Sequence, residues 1–156
     1  MVKTLLKFAR DEVLLPLVKR PRRLQVAALC LRNGDGGREV LLITSRGTGR
    51  WILPKGWPEK GTDAAGTALR EAWEEAGVKR ATTHPSPVGQ YTSEKHNDGG
   101  LVLPCDVLVF RVDVHEMTRD YPERGQRKLV WVAPGDAADM VAEHGLKTIL
   151  RAQKPA

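Results

Sequence analysis

The chain has 156 residues, a net charge of +6 and an apolar content of 41%. These values suit one domain with a real core, and they exclude a disordered chain. No apolar run approaches the roughly 20 residues of a membrane span, and the two cysteines imply no disulfide framework and fit a reducing cytoplasm best.

Residues 1–20, MVKTLLKFARDEVLLPLVKR, are expected to form a basic N-terminal arm or helix ahead of a single domain over 21–156. Residues 1–23 hold seven Lys or Arg and only two acidic residues, so five of the six net charges sit there. The basic balance therefore belongs to the arm, and specific nucleic-acid binding is not expected of the domain. Arg10, Asp11 and Glu12 interrupt the apolar clusters, which reads against a secretory leader.

Leu24 to Arg32, LQVAALCLR, reads as a buried strand. RNGDGG is turn chemistry, and Glu39 to Ser45, EVLLITS, is the returning strand of a hairpin. Arg46 to Arg50 is a basic loop, and Trp51-Ile-Leu-Pro a short strand. A helix follows, capped at its start by Thr62 or Asp63 and ended by Gly77 in a left-handed conformation. Ala81 to Pro87 is expected as loop, Val88 to Lys95 as strand, and His96 to Gly100 as turn. Leu101 to Val114 is a long strand, broken or bulged near Pro104. A turn over Arg119 to Gly125 leads to a strand at Lys128 to Ala133. Pro134 opens the last helix, and His144-Gly145 divides it. Cys30 and Cys105 read as small buried residues. His84, His115 and His144 read as surface or structural. Strands on both sides of one central helix, with more helix at the end, predict an α/β fold, an α/β/α sandwich on a mixed sheet.

The chemistry concentrates in the central helix. Residues three and four apart share a helix face, so Glu71, Glu74 and Glu75 fall within an arc of roughly 100°. Ala65, Leu69, Ala72, Trp73 and Ala76 have apolar spacing and are expected to face the sheet. Three clustered carboxylates repel one another unless a cation sits among them, and hard oxygen ligands suit magnesium or manganese. The same cluster also reads as a solvated acidic face with an Arg70–Glu74 salt bridge.

The stretch Gly56 to Val78 resembles the Nudix box, Gly-x5-Glu-x7-Arg-Glu-U-x-Glu-Glu-x-Gly-U, where U is bulky and apolar. Gly56, Arg70, Glu71, Glu74, Glu75, Gly77 and Val78 match at the right spacing. Thr62 stands where the family has its first Glu, with Glu59 nearby as a substitute, and Ala72 is a small U residue. The resemblance implies a Nudix-like α/β/α sandwich and hydrolysis of a diphosphate linkage. It implies Mg2+, with Mn2+ as a substitute, held by Glu71 and Glu75 with Glu74 in the cluster. Glu74 is then the catalytic residue that orients or deprotonates water, steadied by Arg70. The backbone of Lys55 and Gly56 is expected to approach metal and phosphate.

A looser likeness runs over residues 22–133. The order AALCLR, VLLITSRGTGRWILP, the box and GQRKLVW resembles the diphosphoinositol-polyphosphate phosphohydrolase branch, which also cleaves diadenosine polyphosphates. By position, Arg23, Thr44, Arg46 and Lys128 fall where that branch contacts phosphate, and Arg50 and Arg127 flank them. Arg127 and Lys128 alternate along a strand, so only one can point inward. Gln25 departs from a basic residue, and Lys-Gly before Trp57 from a glycine triplet. Trp57 could stack on a base or cover the core. Glu94, Asp98 and Glu123 are candidates for a fourth carboxylate. The implied partner is a small polyphosphate, and a homodimer is compatible with the family. A nucleoside triphosphate, ADP-ribose or an RNA cap stays open as substrate, as does a non-catalytic phosphate-binding module.

Overall fold

The apolar run after Arg23 is buried on both faces, as a central strand requires. It forms β1 (Arg23–Gly34), which turns back into β2 (Gly37–Thr44). Gly37 takes φ 113°, a left-handed value that a side chain resists. The structure, a computed structural model, describes residues 23–96 and 102–153; the expected arm and the turn tip at 97–101 lie outside them.

The hairpin pairs only near its turn, from Leu31↔Val40 to Gly34↔Gly37. Beyond that the two strands splay. Two short strands fill the gap: β3 (Trp51–Ile52) pairs with β2, and β4 (Lys55–Gly56) pairs with β1. Helix α1 (Ala64–Ala76) follows, then β5 (Val78–Thr83), β6 (Gly89–His96), β7 (Val102–Met117) and β8 (Leu129–Val132). Helices α2 (Pro134–Met140) and α3 (His144–Arg151) close the chain, divided before His144-Gly145 as expected. β1 and β7 run parallel over nine residue pairs, from Arg23↔Cys105 to Leu31↔Asp113, while the other strand pairs of the sheet are antiparallel and an isolated parallel bridge joins Trp51 to Val141. The sheet is therefore mixed.

One core layer lies under α1 and includes Val26, Ala28, Ile43, Phe110 and Val112. The other lies under α2 and α3 and includes Ala27, Leu29, Leu42, Val107 and Leu146. Each fully buried Leu, Ile or Val contributes roughly 1.5–3 kcal/mol of transfer free energy. This is the α/β/α sandwich. No helix among the described residues is long and apolar enough to cross a membrane.

Three expectations change. The segment 81–87 is not all loop, because β5 reaches Thr83 along the far end of β7. VKRATT lacks a continuous apolar run because much of this edge strand faces solvent. Pro104 causes no break. The β6–β7 register is continuous through Glu94↔Pro104, and Pro104 lies one residue beyond the last described β1 pair, where its missing N–H costs no β1 bond. The irregularity falls instead between Val78 and Ala81. Finally, α1 presents a stripe of Ala68, Ala72 and Ala76 to the sheet, each fully buried, with Thr67 and Glu75 on its flanks. Trp73 is 42% exposed. Small side chains let the helix backbone approach the strands, and an indole in that line would hold it off.

Candidate active site

Helix α1 is fixed at both ends by its own sequence. Asp63 accepts a hydrogen bond from the Gly66 amide at 2.7 Å. Gly77, at φ 77°, directs its amide back to the last carbonyls. That leaves Glu71 and Glu75, one turn apart, at the point where β1 and β2 splay.

Gly56 leaves room there for the Glu71 carboxylate in its observed position. A Cβ at this position would run into the Glu71 carboxylate. Glu75 is held from two directions: the Lys55 amide donates to Oε2 at 3.2 Å, and Arg127 Nη2 donates to Oε1 at 3.2 Å. Both members of that ion pair are buried, at 7% and 8% side-chain exposure. Burial pushes Glu75 up to about 8 against the pull of Arg127, and the neighbouring Glu71 adds to the rise. Burial also raises Glu71, and the charge of Glu74 raises it further. Burial lowers the Lys55 ammonium, which Glu143 partly offsets.

Glu74 takes a different position from its two neighbours. Its Oε1 accepts from Arg70 Nε at 2.7 Å, and Arg70 Nη1 reaches Glu59 Oε2 at 2.8 Å. Glu59 thus supplies a carboxylate to Arg70 in a loop where Thr62 has none to give. Neither Arg70 nor Glu74 lines the cavity beside Glu71 and Glu75. Of the three glutamates, Glu71 and Glu75 share the cavity and Glu74 stands apart from it. Among the described residues no group of three His, Cys, Asp or Glu side chains is arranged to hold a metal. Two carboxylates that line one open cavity a helical turn apart do fit a hard divalent cation that fills its shell with water and phosphate oxygens.

The cavity has a volume of about 670 Å³. Arg46, Arg50, Lys55, Gly56 and Trp57 line it, as do Gln25, Ser93, Glu94, Glu123 and Arg127. Of the expected phosphate contacts, Arg23, Thr44 and Lys128 fall outside the lining. Arg23 lies 5.9 Å over the ring of Trp57. Thr44 is a support: its carbonyl accepts from Arg127 Nη1 at 3.0 Å, and its hydroxyl accepts from the Lys128 amide at 2.9 Å. Arg127 and Lys128 lie before β8 and not on a strand, and of the two Arg127 points inward while Lys128 is exposed. Glu123 bridges Arg127 and Arg46, at 3.4 and 3.2 Å. Asp98 lies outside the described residues. Gln25 and Ser93 were not singled out as lining residues by the sequence. Their only signal is a polar residue at a buried strand position, which becomes legible once the strand faces are known.

The NUDIX domain family matches residues 21–152. The chain belongs to that family, whose named relatives here are hydrolases. It is 28% identical over 122 residues to diphosphoinositol polyphosphate phosphohydrolase 2 of Mus musculus, covering 77% of this chain and 63% of that protein. It is 30% identical over 122 residues to the chloroplastic Nudix hydrolase 21 of Arabidopsis thaliana, covering 78% and 59%. The chain therefore spans less than two thirds of the length of these relatives. In fold it is similar to the Ap4A hydrolase of C. elegans, with a TM-score of 0.62 at 20% identity, covering 83% and 94% of the two chains.

Proposed function

We propose that this chain is a divalent-metal-dependent hydrolase that cleaves a diphosphate linkage in a highly anionic small molecule, of the diadenosine polyphosphate or diphosphoinositol polyphosphate type. The observation that carries the reading is the placement of the Glu71 and Glu75 carboxylates in one cavity with Arg46, Arg50, Lys55 and Arg127. Carboxylates alone would repel a polyphosphate, and guanidinium and ammonium groups alone would bind it without activating water. The branch named by the curated relatives agrees with this substrate class.

In this reading Glu71 and Glu75 hold the cation, Mg2+ or Mn2+. Bound there, the ion would neutralise phosphate oxygens and lower the pKa of water. Arg127 and the Lys55 amide fix both oxygens of Glu75 before substrate arrives, so little reorganisation is needed. Gly56 lets the backbone pass close to the reacting phosphate. Arg46 and Arg50 offer planar donors to phosphate oxygens. Glu74, which Arg70 steadies, keeps the role of orienting or deprotonating water, acting from outside the cavity lining.

The test is a substrate panel with Mg2+: diadenosine polyphosphates, diphosphoinositol polyphosphates, nucleoside triphosphates, ADP-ribose and capped RNA. The expected result is preferred release from the first two classes, retained when residues 1–20 are deleted. Hydrolysis of none of them would sink the enzymatic reading. Glu74→Gln is expected to abolish turnover and leave ligand binding largely intact; an active variant would sink the role given to Glu74.

A further inference from the structure

Side chains along β1 alternate between the two layers. Val26, Ala28 and Cys30 belong to the core under α1, and Ala27, Leu29 and Leu31 to the core under α2 and α3. The same alternation continues across β7 and β6. Leu24 pairs with Asp106, and Asp106 with Thr92, so these three make one row on the α1 side of the sheet. Gln25, Cys105 and Ser93 point the other way, and all three are buried. On the α1 side the cover stops a row earlier, at Val26 and Leu108. Leu24 is 42% exposed, and Thr92 and Glu94 on β6 are exposed as well. Trp57, just after β4, is 39% exposed. β1 and β7 are a parallel pair, and parallel pairs are normally covered on both faces.

This open face is apolar at Leu24 and Trp57 and acidic at Asp106 and Glu94. Arg23, the first residue of β1, lies over the ring of Trp57, so the chain before it enters at the edge of the face. Residues 1–22 match the face in both respects. Val13, Leu14, Leu15, Leu17 and Val18 are apolar, and Lys3, Lys7, Arg10, Lys19, Arg20 and Arg22 outnumber Asp11 and Glu12. Val18 precedes Arg23 by five residues, a reach of at most roughly 17 Å, and three adjacent strands span about 10 Å. Another exposed apolar patch, around Trp73 and Leu69, is lined by Arg70, Lys79 and Arg80 and would repel a basic segment.

We propose that residues 1–22 dock on this face of the same chain, with the apolar residues 13–18 over Leu24 and the basic side chains toward Asp106 and Glu94. The basic arm is then the missing cover of the β1–β7 pair, and it borders the cavity through Trp57 and Glu94, which line both.

The experiment is paramagnetic broadening of amide signals in the full chain, with a nitroxide on Glu12→Cys; Cys30 and Cys105 are buried, which directs the label to the new thiol. The Thr92 and Glu94 signals are expected to be lost, and those of Lys79 and Arg80 to stay. Leu14→Asp with Leu15→Asp in the same labelled chain is expected to restore Thr92 and Glu94. A loss that this pair leaves unchanged reports only the reach of the tether and overturns the proposal. Signals retained without the pair leave the face to a partner of other chemistry and also overturn it. So does a loss that appears when labelled chains are mixed with isotope-enriched chains lacking the nitroxide, because the occupant is then a second copy. Should the Asp pair fail to fold, Glu94→Lys carries the test: the Thr92 signal is expected to return, and its continued absence overturns the proposal.

Discussion

Replacing Gly56 by alanine separates the site from the fold. Gly56 has no positive φ among the glycines that do, so alanine brings no backbone strain. Restricting the unfolded chain stabilises the protein by about 0.4–1 kcal/mol. Against that, the new Cβ would stand 2.8 Å from Glu71 Oε2 and closer still to the other carboxylate atoms, so the Glu71 side chain must turn away. A displaced rotamer costs about 0.5–1.5 kcal/mol. The two terms nearly cancel. At about 2–4 °C per kcal/mol for a chain of this size, Tm is expected to move by less than about 4 °C. The ligand position has no such compensation, and Mn2+ affinity is expected to fall about 10–100-fold, the range seen when a metal ligand loses its support. Scanning calorimetry gives the first quantity, and a Mn2+ titration followed by electron paramagnetic resonance gives the second. G56A binding Mn2+ as wild type does would refute the placement of Glu71. A fall in Tm above about 10 °C would show that Gly56 serves the fold instead.

Arg127→Met leaves Glu75 buried without the guanidinium on its Oε1; breaking such a pair costs about 3–5 kcal/mol, which a urea midpoint measures. An unchanged midpoint would mean that the pair adds nothing. Ala72→Leu overpacks a fully buried position under the sheet and is expected to cost about 1–3 kcal/mol. Trp73→Ala, on the exposed side, is expected to stay within about 0.5 kcal/mol; the reverse order in thermal melts would restore Trp73 to the core. Burial alone would raise Asp113, but hydrogen bonds from His84 and Arg111 outweigh it and hold its carboxyl below the usual 3.8. A lowered folded value stabilises fully above the unfolded one and is lost as pH falls through it. The stability gap between wild type and Asp113→Asn is therefore expected to be full above pH 3.8 and to close below it, measured by urea unfolding across pH. A constant gap would contradict the bonding of Asp113.

The sequence by itself determined what depends on neighbours in the chain. The spacing of Arg70, Glu71, Glu74 and Glu75 sets their directions on α1, because helix geometry is local. Thr62 or Asp63 and Gly77 mark its ends, and Arg32 to Gly37 the hairpin turn of β1 and β2, for the same reason; the choice of Asp63 as the cap came from the structure. Arg127 and Lys128 precede β8, so the expected alternation along a strand does not apply to them, and which of the two points inward was not legible.

The tertiary structure alone decided what depends on residues far apart. The amphipathic pattern of α1 placed Trp73 inward, yet the sheet accepts the alanine stripe and Glu75 instead, since close approach to the strands needs small side chains. β5 exists because β7 offers it an edge, and its own residues carry little strand signal. Above all, β1 and β2 splay, and β4 enters between them in one register. That register sets Gly56 against the carboxylates and Lys55 on the opposite face. A shift of one residue would exchange them, and strand register is fixed by pairing partners distant in the sequence.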